Sequence, residues 1–357
     1  MSPSPSSKVR FAVIGTGLIG PRHAQTVAKH KEADLVAIVD PAPAGANVAK
    51  QLDVTYYKSI SDLVQSTDKP DAAIISTPNH THVAVARELA AAGIHILIEK
   101  PVSTDIPSGE ALVKELDKSP IKALVGHHRR WNSYMVAAKR IVDSGKLGTV
   151  LAVNGLWTSY KPLDYFDPPA EWRKLRTGGV VYLNMVHEVD LLHFLFGPIS
   201  SVHAEHTMAQ RGFEAKEGAA LTLRFKSGVV ASFILSDHAP SPYNFEAGTG
   251  ENHLIPKTGQ DFYRVFGTNG CLSVPDMTVW SYKGATKSWH SELNQERLPV
   301  TEDTPFDNQL GHFVQVIRGQ QAPSCTVQAG LAALIVCEAI DKAMQDNSTV
   351  EIVDYML

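Results

Sequence analysis

The feature that most restricts how this chain can fold is Gly15-Thr16-Gly17-Leu18-Ile19-Gly20, a complete GxGxxG. It follows an apolar run at residues 9–14 and precedes a helical stretch at about 21–30. Each glycine has a separate task. Gly15 allows a tight turn, Gly17 lets the backbone approach a pyrophosphate, and Gly20 lets a helix pack against the strand. The helix that starts there offers unpaired N–H groups and a positive dipole end to phosphates. Alone the motif is weak; between a strand and a helix it predicts a dinucleotide-binding βαβ unit, with Thr16, Leu18 and Ile19 in the loop.

The next apolar run, 35–39, ends in Asp40, twenty residues after Gly20. A carboxylate placed there accepts from a ribose 2′-OH and repels a 2′-phosphate, so NAD is expected rather than NADP. The plainer reading of Asp40 is a turn residue before Pro41.

Helix and strand then alternate. Helices are expected at 47–52, 60–66, 83–92 and 110–118, and strands at 54–57, 72–76, 94–98 and 123–126. Such alternation predicts a doubly wound parallel sheet, the Rossmann architecture, over residues 8–126. The strand ends at 14, 39, 76 and 98 then share one edge. That edge gathers Thr77-Pro78-Asn79, His82 and Glu99-Lys100-Pro101 near the nicotinamide end of the cofactor. Proline stops the strand after Lys100. A solvated charge pair is the bland reading of Glu99-Lys100. His80 and His82 invite a metal check, but no third ligand is near in sequence, and no metal is expected.

After His127 the pattern changes. Strands expected at 150–158, 201–207, 219–225, 229–237 and 262–266 follow one another with little helix between, which predicts a mostly antiparallel sheet in an α/β domain over 127–357. A helix at 180–196 carries Asn184, His187 and Asp190 at i, i+3 and i+6. Asn184 and His187 should share a face, as should His187 and Asp190. A polar stripe in an apolar helix is costly unless satisfied. His187 is therefore either a buried histidine paired with Asp190 or a proton carrier that Asp190 orients. Two long loops, 159–179 and 236–260, are rich in aromatic and charged residues and read as pocket walls. From these loops, the domain junction and the helix, Arg129, Trp172 and Arg173 are candidate cofactor contacts, and Tyr160, Tyr165 and Asn184 candidate substrate contacts.

Composition narrows the class. With 44% hydrophobic and 20% charged residues and a formal charge of −4, nothing points to a nucleic-acid or membrane surface; the expected partner is a small-molecule substrate. Three scattered cysteines suit a reducing compartment, so the cytoplasm is expected. Residues 1–7 read as a disordered tail, and no run reaches the ~18 apolar residues of a membrane helix.

Taken together, the GxGxxG loop, Thr77-Pro78-Asn79 with His82, Glu99-Lys100-Pro101, and Gly178-Gly179 with His187 and Asp190 resemble the glucose–fructose oxidoreductase / inositol dehydrogenase / rhizopine catabolism (Gfo/Idh/MocA) family over nearly the whole chain. The resemblance implies a second domain built on an open sheet used for oligomerisation, a homodimer or homotetramer, and catalytic roles for Lys100 and His187. It implies hydride transfer between NAD and a secondary alcohol or ketone of a sugar or polyol. Related members act as redox-neutral glycosidases or as regulators that sense a dinucleotide. Many members carry an aspartate four residues before the histidine; here that residue is Leu183, with Asn184 next to it.

Overall fold

A computed structural model of the chain describes residues 7–353; apart from Ser7, the tail expected at 1–7 lies outside them. The chain forms two compact units. The first holds the described residues up to Trp131 together with Thr304–Ala332, and the second holds Asn132–Asp303 and the described residues from Ala333 onward. The boundary expected at 126/127 thus falls at 131/132, and the second expected domain is interrupted, because 304–332 returns to the first unit. The helix Pro305–Ile317 shows why. Its apolar face, with Phe306, Leu310, Phe313 and Ile317, is buried. Phe313 meets Phe11 of the central strand with ring centroids 6.0 Å apart.

In the first unit, strands β1 (Val9–Ile14), β2 (Ala33–Val39), β3 (Thr55–Tyr57), β4 (Ala72–Ile75), β5 (His95–Ile98) and β6 (Ala123–Val125) alternate with helices α1 (Gly20–Lys29), α2 (Ala44–Leu52), α3 (Ile60–Val64), α4 (His82–Ala91) and α5 (Ile106–Leu116). The six strands are parallel, in the order β3-β2-β1-β4-β5-β6. Covered on both faces, the central strands read as unbroken apolar runs; every residue of β4 is buried. The order reverses between β1 and β4, so the chain leaves their carboxyl ends in opposite directions and opens a crevice there. Local chemistry marks the helix starts. Ser59 accepts from Asp62 N ahead of α3, and Asp105 accepts from Ser108 N ahead of α5.

The second unit opens with α6 (Ser133–Asp143), capped by Asn132, and β7 (Val150–Thr158). Then come α7 (Val186–Phe196), β8 (Ile199–His206), β9 (Gly218–Phe225), β10 (Val230–Ser236), α8 (Phe245–Thr249), β11 (Tyr263–Gly267), β12 (Gly270–Val274), β13 (Thr278–Tyr282), β14 (Leu293–Arg297) and β15 (Val350–Glu351). These strands make one nine-stranded sheet, ordered β14-β13-β12-β11-β7-β10-β9-β8-β15. Antiparallel pairing prevails, with β7 and β10 parallel. Alternation sets the faces: in β9 and β10, Leu221, Leu223, Phe225, Phe233 and Leu235 point inward to the core that includes α7. A Cβ at Gly155 would lie 2.3 Å from the Phe233 ring, so β7 has glycine where that ring crosses it.

Strands β12 to β15 went unanticipated. They are short, and β14 is exposed along its whole length, so no apolar pattern marks it. The expected helix at 180–196 is two pieces. Val181–Met185 is a π-helical turn, and α7 begins only at Val186. A π turn advances each residue by a smaller angle than an α turn, so Asn184 and His187 do not share a face in the simple way that i, i+3 spacing implies.

Candidate functional site

The first unit builds a phosphate cradle at its switch point. Gly15 has φ +91°, and a Cβ on it would lie 2.8 Å from Ser76 O and Thr77 N. A Cβ on Gly20 would lie 2.1 Å from Gly15 O. Both glycines are therefore required by backbone contact alone. Gly17 differs: a Cβ there meets nothing within 4 Å, and Leu18 beside it is 98% exposed. The space in front of Gly17 is open, and α1 begins at Gly20 without a side-chain cap. Uncapped N–H groups above an open glycine backbone suit a pyrophosphate.

Asp40 follows β2 and is buried. Its Oδ2 accepts from Thr16 N at 2.7 Å and Thr16 Oγ1 at 2.6 Å, and Oδ1 accepts from Ala42 N at 2.8 Å. The carboxylate therefore ties the glycine loop to the end of β2, and the turn role before Pro41 is real. A carboxylate has about four acceptor positions, so these three bonds leave about one unfilled. Ser76, at the end of β4, braces the same loop through Oγ, which donates to Ile14 O and Gly15 O.

Lys100 follows β5 and is half-buried. The residues around it are fixed from below. Glu99 is 7% exposed; its Oε1 lies 2.7 Å from His23 Nε2 of α1, and its Oε2 accepts from Lys100 N at 3.1 Å. Burial by itself raises the Glu99 carboxyl. The His23 hydrogen bond and charge, with His128 and Lys100 nearby, outweigh it and hold the group at about 2. Glu99 is thus an internal anion that supports Lys100. His82 is 1% exposed, with Nδ1 2.8 Å from Pro101 O and Nε2 2.9 Å from Thr77 O. It links the loop after β4 to the loop after β5. Pro78 and Asn79 are exposed between them, and Arg129 is buried in the turn His128–Trp131. Among the described residues, no group of three or more His, Cys, Asp or Glu is placed to hold a metal ion.

In the second unit, His187 and Asp190 are buried one turn apart on α7. Asn184 accepts through Oδ1 from Lys161 Nζ at 2.7 Å. Lys161 also lies 3.3 Å from Asp237 Oδ2, and Arg211 Nη1 donates to Asp237 Oδ1 at 2.7 Å. Burial pulls the Lys161 ammonium below its ordinary range, with Asp237 opposing. Tyr165 has Arg173 stacked on it at 3.9 Å and Lys161 at 5.1 Å from its ring centroid. Burial raises its phenol. Tyr160 is exposed and meets His238 edge-on at 5.6 Å; Trp172 is also exposed.

Residues 9–127 match the family model described as the oxidoreductase family, NAD-binding Rossmann fold, and residues 135–273 match the GFO/IDH/MocA C-terminal domain. The chain belongs to the Gfo/Idh/MocA family. Inositol 2-dehydrogenase of Rhizobium meliloti (strain 1021) is 25% identical over 348 residues, covering 96% of this chain and 99% of that one. The scyllo-inositol 2-dehydrogenase (NAD(+)) of Bacillus subtilis (strain 168) is 27% identical over 340 residues, covering 91% and 93%. The solved scyllo-inositol dehydrogenase of Lactobacillus casei, with bound NAD(H) and scyllo-inositol, has the same fold: TM-score 0.75 at 21% identity, over 98% of this chain and 100% of that one.

Within this Gfo/Idh/MocA chain the structure brings Gly15, Thr16, Gly17, Gly20, Asp40, Thr77, His82 and Lys100 to one edge of the parallel sheet, as the strand order requires. It turns His82 and Glu99 inward, as supports. Sequence reasoning missed Lys161, Asp237, Arg211, His23 and Ser76 as members of these clusters. The available signal was weak: Lys161 and Asp237 each follow a strand end, but the parallel pairing of β7 with β10 that sets them side by side joins strands more than seventy residues apart.

Proposed function

We propose that the protein is an NAD-dependent dehydrogenase that moves a hydride between the nicotinamide and the carbinol carbon of a sugar, polyol or related small molecule. The observation that carries this reading is the position of Lys100 at the carboxyl edge of β5, two strands from the glycine cradle after β1. Gly15, Thr16, Gly17, Leu18, Ile19 and Gly20 would hold the pyrophosphate, and Asp40 the ribose, which favours NAD over NADP. Thr77, Pro78, Asn79, Arg129, Trp172 and Arg173 are further candidate contacts. NAD, when bound, supplies the hydride acceptor.

The remaining chemistry belongs to the side chains. Lys100 donates to the substrate oxygen as negative charge develops there. His187 removes the hydroxyl proton, and Asp190 orients it. Tyr160, Tyr165 and Asn184 hold the substrate. The outer face of the nine-stranded sheet exposes Ile234, Phe266 and Trp280, which supports assembly as a homodimer or homotetramer through that face. Among the described residues Cys271, Cys325 and Cys337 form no disulfide, which fits a reducing cytoplasm.

The test is NADH formation across polyols, aldoses and sugar acids, with Lys100→Met and His187→Ala alongside. Lys100→Met should lose about 10²–10⁴ in rate while NAD still binds. His187→Ala should lower kcat and flatten the alkaline rise of the pH–rate profile. Activity of Lys100→Met within about threefold of wild type removes Lys100 from the mechanism.

A further inference from the structure

Asn184 faces a cation that decides which way round its amide lies. Lys161 Nζ is 2.7 Å from it, and an ammonium only donates, so the atom it meets is the carbonyl oxygen. The amide nitrogen is therefore turned away, and among the described residues it donates to no acceptor. Lys161 is fixed in turn. It is 9% exposed, its N–H donates to Asp237 O at 2.9 Å, and its Nζ lies 3.3 Å from Asp237 Oδ2. Asp237 gives its other oxygen to Arg211. One buried carboxylate thus serves two cations. Two further carboxylates stand nearby: Glu217, buried, accepts from Arg211 N at 2.6 Å, and Glu246 accepts from Trp157 Nε1 at 2.9 Å. Arg173 adds a further guanidinium, stacked on the Tyr165 ring that Lys161 also approaches.

We propose that Asn184 and Lys161 form a specificity site for an acceptor-only, anionic group, a carboxylate, so that the substrate is a sugar acid rather than a neutral polyol. This rests on the dehydrogenase reading above. An aspartate at 184 would reverse the selection. Lys161 would neutralise it as an ion pair, and its remaining lone pairs would accept from neutral hydroxyls. Asn184 instead presents two N–H donors beside a lysine whose counter-charge is shared with Arg211. A neutral hydroxyl can accept one of these, but a carboxylate adds charge to the hydrogen bond.

The experiment uses matched pairs that differ in the carboxylate: D-glucuronate against D-glucose, and D-gluconate against D-glucitol. NADH formation is measured in each case, and calorimetry follows binding to the NADH-loaded protein. Wild type should favour the acid of at least one pair by about 10-fold to 100-fold, the range of one charge-assisted hydrogen bond. Asn184→Asp and Lys161→Met should each reduce that ratio by at least about 10-fold, through KM and binding, while Lys161→Arg keeps most of it. Acid binding that depends on Lys161 and Asn184 without NADH formation would leave the specificity site standing and remove the dehydrogenase reading. Equal handling of acid and neutral partner by wild type, or a ratio unmoved in both variants, overturns the proposal.

Discussion

Replacing Glu99 with glutamine removes one charge from a place where the fold holds it far from its ordinary state. The carboxyl lies at about 2, against 4.5 in the open, because His23 bonds it inside the unit and offsets the cost of burial. A folded-state value below the unfolded one means stability that is complete above about pH 5 and is lost as the pH falls toward 2. At roughly 1.4 kcal/mol per unit, the difference is worth about 3 kcal/mol at pH 7. Integrating the two titrations leaves about 2.5 kcal/mol at pH 4 and about half of the full effect near pH 3.2. Glutamine keeps the shape and an acceptor oxygen for His23 but cannot titrate. The assay is urea unfolding of wild type and Glu99→Gln at pH 7, 5 and 4, followed by fluorescence. The variant should be less stable by up to about 3 kcal/mol at pH 7, and the gap should narrow by nearly 1 kcal/mol at pH 4. A gap that stays constant across that window would refute the reasoning, since it would show that ionisation of the carboxyl does not produce the difference.

Other expectations follow from the same geometry. Gly20→Ala places a methyl 2.1 Å from Gly15 O, so the loop must shift; NADH titration by fluorescence should show binding weaker by about 100-fold or more, and affinity within about threefold of wild type would contradict the close approach. Wild type should prefer NAD to NADP by at least ~10-fold, about 1.4 kcal/mol, and Asp40→Ser should shrink that ratio mainly by weakening NAD. Because Asp40 also holds Thr16 and Ala42, the same variant should melt at a lower temperature; kinetics with both cofactors and a melting curve separate the two effects. His82→Ala removes the bridge between Thr77 O and Pro101 O and should cost about 1–3 kcal/mol of stability, with a lower kcat through a displaced Lys100. Unchanged kcat on folded protein would confine His82 to a structural role.

Residues close in the chain announced most of the first unit. Val9–Ile14, the GxGxxG loop and the helix after it are one local unit, and alternation of apolar strand with helix sufficed to predict a parallel sheet, because buried parallel strands are apolar throughout. Lys100 was legible for the same reason, since proline ends β5 just beyond it. The π turn at Val181–Met185 was not legible. Its residues suit an ordinary helix, and only the packing of the second unit selects the wider turn. Asp40 carried two roles that sequence could pose as rivals but not reconcile. Its reach to Thr16 exists only once β1 and β2 lie side by side. The return of Pro305–Ile317 to the first unit depended on Phe313 meeting Phe11, a contact across about three hundred residues. Lys161, Asn184, Asp237 and Arg211 stand in four separate segments. Their meeting is made by the parallel pairing of β7 with β10 and by the helix above it, so the orientation of the Asn184 amide was decided by tertiary structure alone. Periodicity reports which face of an element is apolar; it carries no information about which distant polar side chain will be set against it.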